Sequence, residues 1–182
     1  LLVGMLILPH TTLATPGTSS PGTPSETTGP QPSPNTRFID NQDGTVTDSQ
    51  TGLTWLKDAD CSQFSSNDGQ EKNNRLWKDA LAAAGGLAHG FCGLSDGSKK
   101  GDWRLPNTKE LLSIVDYEYS TPALGEEATQ TFSNVQATHY WSSTSNIDYP
   151  VFAWVVSLYN GNVSFVSKMI TNIHIWPVRG GE

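Results

Sequence analysis

The chain has 182 residues, long enough for one domain with a core of its own, and carries 18 acidic against 11 basic side chains for a net charge of −7. That balance excludes a nucleic-acid binder, which needs a basic stripe to displace counterions. Only 16% of residues are charged while Gly and Pro are plentiful, which suits a loop-rich extracellular domain better than a helical cytosolic enzyme.

Residues 1–14, "LLVGMLILPHTTLA", form an apolar run ending on small Ala14. The run is too short to span a bilayer and is read as the remnant of a signal peptide. Residues 15–36 contain six Pro, three Gly and ten Ser or Thr, with no aromatic. Such a stretch buries too little apolar surface to offset its ordering entropy, so a disordered linker is expected. Gly17, Gly22 and Gly29 lack the three-residue period of collagen.

A domain is expected over 37–182. "RFID" and "TVTD" flank the turn signal "NQDG", and "TVTD" and "LTWLKDA" flank "SQTG". Asp43-Gly44 and Gly52 suit tight turns, so a three-stranded meander is predicted. Asp40, Asp43 and Asp48 are read as turn formers bonding the backbone two residues on. An EF-hand alignment with Gly44 at loop position 6 puts Ile39 at position 1 and Gln50 at position 12, and fails at both ends. A different calcium geometry at the three aspartates is the lesser alternative, and no other cofactor is expected.

Ser62 to Asn74 is polar and predicted to be loop. "NRLWKDALAAAGGLA" places Leu76, Trp77, Ala80, Leu81 and Ala84 at helical spacing, with Gly85-Gly86 to end the helix. "SKKGDWRLPNTK" is the one basic concentration and is read as a solvated loop. A second helix is predicted over Asn107 to Tyr117, opened by a capping box of Asn107 and Glu110. Cys61 and Cys92 flank the first helix and read as one disulfide in an exported chain. Closing that loop of about thirty residues stabilises by roughly 3 kcal/mol.

The last third is β-rich: "HYWSSTS", "VFAWVVSL", "GNVSFVSK" and "HIWPVRG" are predicted strands, with Asn160-Gly161 as a hairpin turn. In the second of these, Phe152, Trp154, Val156 and Leu158 share the heavier face, which is expected to meet the helices. Meander, two helices and meander argue for α+β rather than doubly wound α/β.

"DNQDGTVTDSQTGLTW", "DWRLPNTKEL", "YWSSTS" and "WPVRGG", in this order, resemble the Lcl C-terminal domain family, named for a collagen-like adhesin of Legionella. The resemblance spans about Arg37 to Gly181. It implies a loop-rich fold related to C-type lectins and to the formylglycine-generating enzyme. It also implies an exported bacterial protein, in the periplasm, secreted or at the cell surface, engaged in adhesion or glycan binding. Two departures stand out. A Pro/Thr/Ser spacer replaces the adhesin's collagen-like repeats, which leaves homo-oligomer formation open. The adhesin's ligands are sulfated glycans, whereas residues 37–182 here hold 11 basic and 17 acidic side chains, a net of 11 − 17 = −6. A neutral glycan or a cell-surface protein is therefore as plausible a ligand.

No G-x-S-x-G, H-E-x-x-H or P-loop motif is present. His89, His139 and His174 are scattered and read as structural. The formylglycine-generating relatives work through a cysteine pair and copper, but Cys61 and Cys92 do not sit on the closing strands. The classical lectin calcium motifs are absent. A non-enzymatic binding module is therefore expected, against an enzyme of related fold with an unrecognised site or a structural surface domain. Most of the six Trp are assigned to core. The loop "SNIDYP" is the predicted recognition surface, through Asn146, Asp148 and Tyr149. Arg104 is assigned either to that surface or to a structural ion pair with Asp102 or Asp116.

Overall fold

The computed structural model describes residues 36–64 and 75–181. The signal-peptide remnant, the linker except Thr36, and most of the polar loop before the first helix lie outside the described residues. The described residues all belong to one compact unit.

Local turn chemistry builds the first sheet. Strands β1 (Phe38–Asp40), β2 (Thr45–Asp48) and β3 (Leu53–Leu56) form the predicted antiparallel meander, with Asp40 opposite Val46 and Thr47 opposite Thr54. Asp40, Asp43 and Asp48 each accept a bond from the backbone N–H two residues on, at 2.9, 3.0 and 3.0 Å. Gly44 takes φ +86°, and a Cβ there would stand 2.5 Å from the Gly93 carbonyl oxygen, so only glycine lets the turn meet the 93–95 loop. The 3-10 turn Ser62–Phe64 follows.

Helix α1 (Trp77–Gly86) ends at the Gly pair and buries Ala80 and Ala84. Helix α2 (Thr108–Ser113) opens on the predicted capping box, with Asn107 accepting from the Glu110 N–H and Glu110 from the Asn107 N–H. It stops four residues short of expectation. Val115 N–H bonds the Leu112 carbonyl, closing a tight last turn, and Asp116 begins a turn by accepting from the Glu118 N–H. A third helix, α3 (Glu126–Thr131), was not foreseen.

Strands β4 (His139–Ser145), β5 (Phe152–Ser157) and β6 (Val163–Ser167) make the second sheet, antiparallel in the order β4-β5-β6. The predicted last strand shortens to β7 (Val178–Gly180) and joins the other sheet, antiparallel to β3. The result is two antiparallel sheets with three α-helices among the described residues, an α+β fold. Trp176 ties the sheets together. Its ring meets Trp55 of β3 and Phe132 edge-on at 5.2 and 4.9 Å and Tyr140 of β4 at 5.7 Å, and its Nε1 donates to the Leu56 carbonyl at 2.7 Å. Trp55, Trp103, Trp141 and Trp176 are buried, so four of the six Trp are core as expected. Cys61 and Cys92 form the expected disulfide, Cα to Cα 5.6 Å.

The expectation for β5 is corrected. Ala153, Val155 and Ser157 are buried, and Phe152 and Trp154 on the heavier face are only half-buried. That side is closed by Val156 and Leu158 at one end alone.

A candidate binding surface on the second sheet

Strand register puts the exposed rings together. Trp154 lies opposite Phe165 on β6, which places both rings on one face of the sheet. Trp154 and Phe165 meet edge-on at 5.4 Å, and Phe152 meets Phe165 likewise at 5.7 Å. Tyr149, from the loop before β5, stacks on Phe165 at 6.2 Å with its plane tilted by 16°. Tyr149 is 58% exposed and Phe165 42%. A row of aromatics thus faces solvent where a core-facing set was expected.

The loop is held in place from within. Asn146 is 6% exposed, and its side-chain oxygen accepts from the Asp148 and Tyr149 N–H groups at 3.0 and 3.1 Å. Asn146 is therefore the turn's internal brace, while Asp148 and Tyr149 are exposed. Lys168 clamps the other side: its Nζ donates to Ser145 Oγ and the Pro150 carbonyl at 2.6 and 2.8 Å, and sits 4.0 Å over the Trp77 ring. Both bonds tie down the two sides of the loop that carries Tyr149.

Beside this row Trp154 and Val163 floor an open groove of ≈ 560 Å³, rimmed by Asn107, Thr108, Lys109 and Thr144. Thr108 bridges the two elements, its N–H donating to Thr144 Oγ1 at 3.3 Å and its hydroxyl lying 3.1 Å from Ser142 Oγ. The capping box sets this rim, because it fixes where α2 begins.

Arg104 is elsewhere, in a seam between α2 and β7. It grips Glu110 with two bonds of 2.7 Å and donates to the Gly180 carbonyl at 3.0 Å. The expected partners are corrected: Asp102 accepts instead from the Lys99 N–H, and Asp116 from the Glu118 N–H. Burial pushes the Glu110 carboxyl up, but the Arg104 guanidinium and the Asn107 N–H outweigh it and hold it below the usual range. Asp48 is similar: full burial raises its pKa, and Arg37, Thr51 and the Gln50 N–H more than reverse that. Lys57, 2.7 Å away, lowers Asp40. Asp40 and Asp48 thus each hold a cation of the chain itself, and among the described residues no three His, Cys, Asp or Glu side chains gather as a metal-ligand group. His174 faces Asp60 at 3.3 Å in a half-buried pair beside β4.

The sequence model of the Lcl C-terminal domain matches residues 44–179. The chain belongs to that family. No curated protein matches the chain. The match to the Lcl C-terminal domain takes in both sheets apart from β1 and the last residue of β7, so the aromatic row and the groove lie wholly inside it. Of the residues expected at the recognition surface of this Lcl C-terminal domain, Asp148 and Tyr149 are exposed, and Phe152, Trp154 and Phe165, assigned to no surface from the sequence, lie beside Tyr149. Strand alternation carried the signal for them, and the assumption that the heavier face goes inward hid it.

Proposed function

We propose that this Lcl C-terminal domain is an exported, non-catalytic recognition module that takes an uncharged glycan on the face of its second sheet. The half-exposed Trp154 ring flooring a groove with an amide, hydroxyls and an ammonium at its rim carries this reading. A pyranose presents an apolar C–H face and a polar edge, which match a ring floor and a hydrogen-bonding rim. The net charge of −6 over residues 37–182 disfavours a polyanionic ligand. Export is supported by the Cys61–Cys92 disulfide, which persists in oxidising compartments. No helix among the described residues is long and apolar enough to cross a membrane.

A glycan array read with and without chelator tests the proposal. Binding of neutral glycans, unchanged by chelator and lost in Trp154→Ala with the fold intact, is the expected result. Binding confined to sulfated glycans, or binding that survives Trp154→Ala, would refute it. A cell-surface protein ligand is the second reading, favoured by the absence of charge on this sheet. Over residues 128–167 Asp148 is the one Asp, Glu, Lys or Arg, and interface centres are depleted in charge and rich in aromatics.

A further inference from the structure

A sheet edge carries unpaired N–H and C=O groups, and folded proteins cover or blunt such edges. Three of the four edges here are covered by the chain. At β1, the outward Phe38 N–H donates to the Glu127 carboxylate of α3 at 2.8 Å. At β7, Arg104 and Val178 exchange both backbone bonds at 2.9 Å. At β4, Trp141 N–H donates to the His174 carbonyl at 2.9 Å and His174 N–H to that of His139 at 3.0 Å.

The β6 edge differs. Ser157 N–H donates to the Asn162 carbonyl and Lys168 N–H to that of Val151, which sets the antiparallel alternation. Ser164 and Val166 therefore bond β5, and Val163, Phe165 and Ser167 alternate outward. The Ser167 carbonyl accepts from the Ile170 N–H at 3.1 Å, while the outward groups of Val163 and Phe165 have no such bond. No described residue covers them. The strand, "VSFVS", has no Pro and no charge, and its pairing with β5 runs without a bulge. The flanking Lys168 does not guard it, since its ammonium is turned back onto Ser145, Pro150 and Trp77.

We propose that two copies of this chain pair antiparallel through β6, about a two-fold axis at Phe165, to make one six-stranded sheet. The strand is self-complementary in this register. Phe165 meets its own copy as a hydrogen-bonded pair, Val163 meets Ser167, and Ser164 meets Val166. Lys168 falls opposite Asn162, so no like charges meet directly, which matters for a chain of net charge −7. The pairing joins the two aromatic rows across the axis and presents two ligand grooves on one surface. A second copy is favoured over a foreign strand because the edge meets its own copy with no charges opposed and sets Phe165 against Phe165, a cross-strand aromatic pair.

The test is the mass of the full chain by sedimentation equilibrium, with a cross-linking arm. The expected species has twice the 19.7 kDa of one chain. Phe165→Lys places two ammonium groups across the axis and returns the mass to that of one chain, as does Val163→Lys. Phe165→Cys gives a disulfide-linked dimer under mild oxidation, whereas Thr129→Cys on α3 does not. A wild-type chain of single mass at every concentration overturns the proposal. So does a dimer that persists in both lysine variants, or one that Thr129→Cys links as readily as Phe165→Cys. The measurement needs no glycan, so it fails or holds separately from the array.

Discussion

The first sheet, β1-β2-β3-β7, is stitched by charge: Arg37 with Asp48, Lys57 with Asp40, and Arg104 of the adjoining seam with Glu110. The second sheet has almost no charge and turns a row of rings outward. Both are antiparallel and similar in size, so backbone pairing does not separate them. What separates them is where each puts its large side chains. Both bury rings, Trp55 in the first and Tyr140 and Trp141 in the second, but only the second also leaves a row, Phe152, Trp154 and Phe165, at the surface. Exposed rings held rigid cost solubility and add little stability, so their retention points to recognition.

The difference is broken most severely at Trp176. Trp176→Ala removes a fully buried ring, its edge-on contacts and the bond to the Leu56 carbonyl, and should cost about 3–5 kcal/mol in denaturant unfolding. Phe165→Ala, a ring of similar kind on the other sheet, should cost below about 1 kcal/mol. Equal costs would mean that the outer row is core after all. Next in size is the disulfide. Replacing Cys61 and Cys92 by Ser frees a loop with a sequence separation of 31, a loss of about 3–4 kcal/mol on the chain-entropy account. The urea midpoint should fall and the slope should rise, because the unlinked unfolded chain is less compact.

Much of the fold could be read from local chemistry. The Asp-Gly, Thr-Gly and Asn-Gly turns and the Asn107/Glu110 capping box each work within four or five residues, and all formed as expected. The features that were missed depend on distant partners. β7 leaves the last meander because Val178 finds β3 and Arg104, and nothing within "HIWPVRG" encodes that choice. Helix α3 has Gly125 at its N-cap with no side-chain bond and only two acids in its first turn as a signal. Arg104 was matched to acids near in sequence, whereas the capping box brings Glu110 within reach with its carboxylate already aimed at the Asn107 N–H. For the candidate site, the exposure of Asp148 and Tyr149 was legible as loop polarity, whereas the burial that makes the Asn146 oxygen a brace was not.

The ion pairs of the first sheet give it an acid sensitivity that the second lacks. Asp48 is lowered below its unfolded value of about 3.9, and Glu110 below about 4.3. Each therefore contributes stability fully present above those unfolded values, and loses it as pH falls through the folded pKa. Unfolding free energy should hold down to about pH 4.5 and decline below it. Asp48→Asn should cost about 2–3 kcal/mol at neutral pH, because it leaves Arg37 part-buried without its carboxylate, and should flatten the acid limb. An acid limb unchanged in Asp48→Asn would remove this ion pair from the account.

The smallest expected change in stability accompanies a clear expected change in binding, at Tyr149. Its ring is more than half exposed, and the loop beneath is held by Asn146 and Lys168 rather than by the ring. Tyr149→Ala should therefore shift the unfolding free energy by about 0.5 kcal/mol or less, the usual range for surface positions. The lost ring contact should nonetheless weaken glycan binding about tenfold, taking about 1.4 kcal/mol for a stacked aromatic. Asn146→Ala makes the converse case. It removes the brace that aims Tyr149, so it should weaken binding and also lower stability by about 1–2 kcal/mol through two unsatisfied N–H groups. If Tyr149→Ala left binding intact while Asn146→Ala abolished it, recognition would lie in the loop backbone, and the row of rings would have to be explained by the pairing of β6 alone.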